Sequence, residues 1–564
     1  MGNRISRRTF LGELGAGAVV LGTGPTLWRQ PSRVAAPAIE QVHLQFGRDA
    51  AGEMTVSWVT KGSVAKPRLR WGSKAAGIGE AVDADTRTYR DHATGREVVV
   101  HHATLTDLAP DAEYVYQPDH QGAERAVEVD SFRTAPRGPA KFRFTSFGDQ
   151  GIEGVGVGSA ASDRVVDHVE EQAPLFHLVN GDLAYSDLMD DPATAWDQWF
   201  TQNQRSAAAR PWMAAAGNHE QETGNGDHGY RAFQTRFHNP DNGVDGLGGL
   251  FYAFTVGSVR FVVLQNDDVC YQWGSNDYVR GYSGGAQKAW LDRTLGEARD
   301  DPGVDWVVVC MHQLVMSSAT LGNGGDRGVR EEFAPLFDEH EVDLVLCGHD
   351  HDYERTHPVR GVDADSPTLR PKVAGADVDG VVDATQGAVH LVLGGGGAVP
   401  RNEYGHGPRG ARVVVGKGQH FIGEYEFEEP TWSAKTDPAP GKGYGFAAFD
   451  VDPGDREGAT TSIDVTYYRT AARPGQAAEA FDRIRLEKPR TARSVAPAAA
   501  GDEDRDDDGT SWPIVVGAAA FGTAALAALG GGAVLYSRRN KDEGAEASDP
   551  DAGAGADADT VDVE

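Results

Sequence analysis

Side chains able to hold metal ions recur just after short apolar runs in the middle of this chain. Gly181-Asp182-Leu183-Ala184-Tyr185 follows the run 175–179, Asp149 follows 142–147, and His312 follows 306–311. Asn218-His219, and His349 with His351, stand in the same relation to apolar stretches. A carboxylate leaving the end of a buried strand can bridge two cations, because each oxygen accepts one, and a phenol three residues on adds another oxygen. Taken singly, each residue has an ordinary explanation. An aspartate after a strand is a common turn former, and a histidine inside a strand, such as His177 or His390, is a core or surface residue. The ordered series is different, because an open α/β sheet brings loops beyond its strand ends together in space. Oxygen and imidazole donors of this mix suit Zn, Mn or Fe rather than a thiolate site.

The elements that must position these residues are legible as changes of texture. At 564 residues, with 40% apolar content, the chain is expected to form more than one domain. Residues 39–136 carry short alternating segments at 41–46, 54–59, 68–71, 97–105, 114–117 and 127–133, separated by turn residues, which predicts a β-sandwich. The stretch Leu108-Ala109-Pro110-Asp111-Ala112-Glu113-Tyr114 resembles the strand-linking corner of fibronectin type III modules. A binding or spacer role is expected for this domain. Residues 140–488 alternate strands with helical stretches, as in a sheet-containing α/β domain with helices outside. Strands are expected at 142–147, 260–265, 306–311, 342–347 and 388–393, and helices at 163–171, 286–295 and 329–337. Alternating patterns at 418–430 and 443–470 are assigned to a second sheet of the same domain. The run of glycines at 394–397 precedes no helical pattern and reads as a tight loop rather than a phosphate loop.

Charge and the termini bound the setting. A formal charge of −31 argues against a nucleic-acid partner, and an acidic protein handling phosphate needs metal ions to do so. Cys270, Cys310 and Cys347 are too few for a disulfide framework and read as small core residues. Ser6-Arg7-Arg8-Thr9-Phe10-Leu11, a mildly apolar stretch and Ala36-Pro37-Ala38 together look like a twin-arginine export signal over residues 1–38. Residues 489–511 read as a disordered linker. The uncharged stretch 512–536 exceeds the roughly 20 residues of a membrane helix, with Trp512 and Tyr536 at its ends. Arg538, Arg539 and Lys541 then place the acidic tail 537–564 in the cytoplasm and the rest of the chain outside it.

The blocks Gly148-Asp149-Gln150-Gly151, Gly181-Asp182 to Tyr185, Gly217-Asn218-His219-Glu220, 309–312 and Gly348-His349-Asp350-His351 resemble those of purple acid phosphatases, in the calcineurin-like metallophosphoesterase superfamily. The resemblance implies a four-layer αββα sandwich preceded by an all-β, fibronectin type III-like sandwich. It implies a dinuclear centre with Asp149, Asp182, Tyr185 and His351 on Fe(III). Asp182 would bridge to a divalent Fe, Zn or Mn held by Asn218, His312 and His349. It further implies hydrolysis of phosphomonoesters by a metal-bound hydroxide, with His219 binding phosphate or protonating the leaving group. A phosphodiesterase or nucleotidase on the same site is the alternative, and a non-catalytic surface binding protein is a third reading. The chain departs from the plant-type pattern after His312, where no further histidine occurs from Gln313 to Arg330. Gln313, Ser317, Ser318, Asn323, Asp326 and Arg327 are the polar groups there instead, and His228 and His357 are expected to be unrelated to catalysis.

Overall fold

The computed structural model describes residues 37–123, 129–320, 323–399, 410–419, 423–437, 444–471 and 475–490. The export signal expected before residue 37, and the linker, membrane span and tail expected beyond residue 490, lie outside the described residues. Among the described residues no helix is long and apolar enough to cross a membrane.

Eight strands form the first sandwich. Ile39–Phe46, Met54–Thr60, Glu97–Leu105 and Asp85–Arg90 make one sheet, and Glu80–Asp83, Arg68–Ser73, Glu113–Asp119 and Asp130–Arg133 make the other. Leu44, Val56, Trp58, Leu69, Tyr116 and Phe132 fill the space between them. The corner read from the sequence is present: the Ala109 amide donates to the Tyr114 hydroxyl at 2.8 Å. The strands Glu80–Asp83 and Asp85–Arg90 had no sequence signal because they are edge strands, and Tyr89 is their one fully buried residue.

The second part is built on two seven-stranded mixed sheets. In the first, Trp212–Ala215, Phe176–Asn180 and Phe142–Phe147 run parallel, followed by Gly445–Asp452, Thr460–Arg469, Glu479–Pro489 and Val381–Asp383. The second places Val259–Val263, Trp306–Cys310, Leu344–Cys347 and Val389–Leu393 in parallel, flanked by Tyr252–Val256 on one side and Tyr353–Thr356 and Ser433–Thr436 on the other. Both sheets are covered on both faces, so their parallel strands read as continuous apolar runs. Alternate residues divide between two cores. Leu178, Met213 and Val308 pack between the sheets, while Val179, Ala214, Val307 and Val309 face the helical layers. The inner layer is aromatic, with Phe144 stacked on Phe449 at 4.4 Å and on Phe176 at 5.4 Å. Helices Ala161–Glu171, Pro192–Ala207 and Ala286–Asp300 bury Val165, Trp196, Trp199 and Leu291 in the outer core. The result is helix, sheet, sheet, helix.

The two parts are joined by packing. Phe46 of the sandwich meets Phe176 at 5.7 Å, and Gln41 donates to Asp197 at 2.7 Å on the helix Pro192–Ala207. That helix lies outside the expected set, although Asp191 caps it by accepting from the Thr194 amide at 3.0 Å and Pro192 occupies its first turn. Cys270, Cys310 and Cys347 are buried and free, as expected of small core residues.

Two expectations are corrected. The helix read at 329–337 is two, Arg327–Glu332 and Ala334–Glu339, because Pro335 lacks an amide hydrogen and can only sit in the first turn of a new helix. The patterns at 418–430 and 443–470 do not share a sheet of their own: Gly445–Asp452 and Thr460–Arg469 extend the sheet of Phe142–Phe147, and 418–430 joins neither large sheet. Glu424–Glu428 pairs with Ala411–Gly416, which pairs with Gly325–Asp326, in a separate three-stranded sheet. Its Glu-Tyr-Glu-Phe-Glu sequence carries a carboxylate at every second position, which a sheet covered on both faces cannot accept.

One of those glutamates ties the small sheet down. Glu428 forms a two-armed ion pair with Arg330 at 2.8 and 2.9 Å, and Arg330 also donates to the Val315 carbonyl at 2.7 Å. Both side chains are buried. Arg330→Ala leaves the carboxylate buried and unpaired, and is expected to cost about 3–5 kcal/mol of stability in denaturant unfolding.

Candidate metal centre

Every metal ligand expected from the sequence, together with His219, stands beyond the C-terminal end of a parallel strand, on one side of the paired sheets. Asp149 follows Phe142–Phe147, Asp182 and Tyr185 follow Phe176–Asn180, and Asn218 and His219 follow Trp212–Ala215. His312 follows Trp306–Cys310, and His349 and His351 follow Leu344–Cys347. The backbone is bent to aim them. Asp149, Asp182, Tyr185 and His349 all take left-handed conformations, with φ of 58°, 52°, 50° and 72°. Such values are unfavourable for these side chains and persist where surrounding structure enforces them. Glycines make the crowding possible: a Cβ on Gly217 would lie 2.2 Å from Asp182 Oδ1, and one on Gly348 would lie 2.4 Å from Asp149 Oδ2.

The three histidines are oriented from behind. His312 Nδ1 lies 2.7 Å from the Asn180 carbonyl, His351 Nδ1 2.9 Å from the Val399 carbonyl, and His349 Nε2 3.0 Å from Gln272 Oε1. Each partner is an acceptor, so each of these ring nitrogens carries the proton and the other nitrogen of a neutral ring presents a lone pair. Those nitrogens converge on one another and on side-chain oxygens. His312 Nε2 lies 3.1 Å from Asp182 Oδ2, 3.1 Å from Asn218 Oδ1 and 3.2 Å from His349 Nδ1. His351 Nε2 lies 3.4 Å from Asp149 Oδ1 and 3.0 Å from Tyr185 Oη, which is itself 3.2 Å from Asp149 Oδ1. Without metal, a protonated His312 donates from Nε2 to Asp182 and the Tyr185 hydroxyl donates to Asp149; a cation among these groups would take the place of those protons. Asp182, His312 and His349 could hold one such ion with Asn218, and Asp149, Tyr185 and His351 a second. The residues present therefore fit a dinuclear metal centre.

The electrostatics without metal report the same demand for positive charge. Burial pushes the His312 imidazole down, but the Asp182 and Asp149 carboxylates overcome it and pull its pKa up to about 10. Burial would raise Asp182, yet His312, His219 and His349 together hold it well below the usual carboxylate range. Tyr185 is driven the other way: burial, then Asp149 and Asp182, raise its phenol well above the ordinary value. Only a strong Lewis acid would make it a phenolate at neutral pH. Glu220 secures the floor by accepting from the amides of Gly217 at 2.7 Å, Leu183 at 2.8 Å and Asp182 at 2.9 Å. Burial and the adjacent Asp182 raise its carboxyl to about 8, against the pull of those amides.

His219 stands at the mouth. Its ring packs 4.6 Å from that of Tyr185, its amide donates to Asp182 Oδ1 at 3.0 Å, and a fifth of its side chain remains exposed. Nδ1 meets the buried Asp187 carboxylate at 2.9 Å, leaving Nε2 4.0 Å from Asp182 Oδ2. Burial lowers its pKa, but Asp182 and Asp187 more than compensate and bring it to about 9. A protonated imidazole with one N–H held by Asp187 has the other free to donate.

The polar residues after His312 do not take the place of the missing histidines. Gln313 bonds Asp267, Ser317 bonds Asp350, the Ser318 amide bonds Glu354 and Arg327 pairs with Glu331. Asn323 supports the His349 carbonyl at 2.7 Å, and Asp326 holds the amides of Tyr271 and Gln272. His228 stacks on Tyr282, and the His357 amide bonds the Trp432 carbonyl. Asp187, Gln272 and Ser275 were not found by sequence reasoning. Only the position of Asp187, two residues after Tyr185, could have signalled one of them.

Comparison with known proteins agrees with this geometry. Residues 39–134 match the family model described as the purple acid phosphatase N-terminal domain, and residues 143–353 match that of the calcineurin-like phosphoesterases. The chain belongs to the purple acid phosphatase-like metallophosphoesterases. An uncharacterised protein of Mycobacterium tuberculosis is 46% identical over 521 residues, covering 86% of this chain and 96% of its own. Purple acid phosphatase 18 of Arabidopsis thaliana is 27% identical, over 66% of this chain and 73% of its own. The Fe(3+)-Zn(2+) purple acid phosphatase 12 of the same plant is 26% identical, over 57% and 66%. A purple acid phosphatase from yellow lupin seeds shares the fold, with a TM-score of 0.61 at 21% identity over 82% of this chain and 78% of that one. The family fold is thus the αββα sandwich preceded by a β-sandwich, as the sequence motifs implied.

Stability of the metal-free phosphoesterase should depend on pH in a set direction. His219 and His312 have folded values of about 9 and about 10, above the ordinary 6.5. The stability they contribute is fully present below pH 6.5 and is lost as pH rises through those values. The melting temperature of chelated protein should therefore fall from pH 6.5 to 10, and fall less in Asp187→Asn, which removes part of the field on His219.

Proposed function

We propose that this purple acid phosphatase-like chain hydrolyses phosphomonoesters at a dinuclear centre held by Asp149, Asp182, Tyr185, Asn218, His312, His349 and His351, with Asp182 as the bridge. The observation that carries the reading is the convergence of His312, Asp182, Asn218 and His349 within 3.1–3.2 Å, with the far nitrogens of both histidines already committed. Fe(III) is assigned to the Tyr185 side, since a phenol held neutral by burial would ionise only beside a strong Lewis acid, and a divalent Zn, Fe or Mn to the side of Asn218. Bound there, the metal pair supplies Lewis acidity, which activates water and offsets charge on the phosphoryl group.

The chain's own residues do the rest. His219 donates from Nε2 to a phosphoryl oxygen or to the departing ester oxygen, and Asp187 keeps it oriented and protonated. Water oxygen becomes bonded to phosphorus, the phosphorus–ester oxygen bond breaks on the opposite side, and the alcohol leaves with one proton. Glu220 takes no part in proton transfer; through three amides it fixes the loops that carry Asp182 and Asn218.

The export pattern at 1–38 and the uncharged stretch 512–536 support an exported enzyme, anchored in the cell membrane with its catalytic part outside. Asp182→Asn is expected to lower kcat/KM on an aryl phosphate by at least about a thousandfold, the scale of losing a principal electrostatic group, while the fold is retained by circular dichroism. Unchanged turnover in that variant, or faster wild-type turnover of a diester than of the matched monoester, would contradict the assignment.

A further inference from the structure

The segment 271–278 runs across the two histidines that rim the metal centre. Gln272 Oε1 meets His349 Nε2 at 3.0 Å; three residues on, the Ser275 amide donates to the Asn218 carbonyl at 3.0 Å and its hydroxyl lies 3.4 Å from His219 Nδ1. Three residues span at most about 11 Å, so Trp273, between these anchors, stands at the mouth of the site. The segment is held from beneath. Buried Asp326 accepts from the Tyr271 and Gln272 amides at 3.0 Å and caps the helix Arg327–Glu332 through the Gly328 amide at 2.7 Å. Gln221, two residues after His219, accepts from the Asn276 amide at 3.2 Å and donates to Asp277 at 3.2 Å.

This rigid segment presents aromatic faces. The rings of Trp273 and Tyr278 lie 5.8 Å apart, and Lys417 Nζ sits 5.2 Å from the first and 4.3 Å from the second. Among the described residues no carboxylate pairs with Lys417. Trp273, Tyr278, His228 and Tyr282 border a cavity of about 580 Å³, with the ring of His228 5.1 Å from that of Tyr282. That volume is in the range of small-molecule sites, and aromatic faces beside a cation suit a flat, electron-rich ring.

We propose that Trp273, Tyr278 and Lys417 receive the leaving group of the substrate and select phosphoesters whose alcohol carries a planar aromatic ring, nucleosides above aliphatic alcohols. This rests on the phosphoesterase reading.

The metal-loaded full chain is assayed on adenosine 5′-monophosphate and on ribose 5-phosphate, which share the same phosphoester and differ by the base. The wild type is expected to prefer the nucleotide, and Trp273→Ala to lower the ratio of the two kcat/KM values by about tenfold, the scale of losing one base-stacking side chain. The loss should appear in KM rather than kcat. Trp273→Phe should retain most of the preference, and Lys417→Gln should lower it. Equal turnover of both compounds by the wild type, or an unchanged ratio in Trp273→Ala, overturns the proposed ring selection alone. Turnover of neither by the wild type contradicts the phosphoesterase reading and the ring selection with it.

Discussion

The arrangement depends on where three protons sit. His312, His349 and His351 each give their far N–H to an oxygen acceptor, and each is thereby left with a lone pair aimed at carboxylate, amide or phenol oxygens. With its far nitrogen committed, each imidazole turns its other nitrogen inward, where it binds a cation or, as His312 does without metal, takes up a proton against a carboxylate. The buried carboxylates leave the cluster short of positive charge. The elevation of His312 and the depression of Asp182 are two expressions of that shortage. A chain carrying −31 charges can meet an anionic phosphoester because the one place where acceptors converge is built to concentrate cations.

The architecture is what makes this commitment possible. Carbonyls of Asn180 and Val399 are available to ring nitrogens because they leave the ends of neighbouring strands or their loops, where the ladder no longer uses them. Parallel strands bring five distant loops to one edge. Glycines at 217 and 348 let those loops approach closer than any side chain would allow. The left-handed residues at 149, 182, 185 and 349 carry strain that Glu220, through three amides, and the aromatic layer beneath help to hold in place.

The loci of the candidate site were legible because buried parallel strands read as apolar runs with polar residues just past them, while the division of those residues between two metals came only from the resemblance to purple acid phosphatases. The β-sandwich was legible through its alternation, while its polar edge strands carried no such signal. What escaped notice depended on tertiary partners. Asp187, Gln272 and Ser275 matter only because the fold sets them against His219 and His349, and nothing in their local sequence says so. The glutamate-rich strand Glu424–Glu428 was read correctly as a strand but assigned to the wrong sheet, since alternation reveals one exposed face without revealing the neighbour. Pro335 divided a continuous helical pattern because local backbone chemistry outweighed apolar spacing.

The proposed centre sets a buried phenol, raised by its surroundings, beside a strongly Lewis-acidic ion. Its direct test is the visible absorption spectrum of purified, iron-loaded protein compared with that of Tyr185→Phe at matched iron content. A visible tyrosinate-to-iron band is expected in the wild type and should disappear in the variant while the iron remains bound. A band that survives the substitution, or iron-loaded wild type with no visible band, would contradict it.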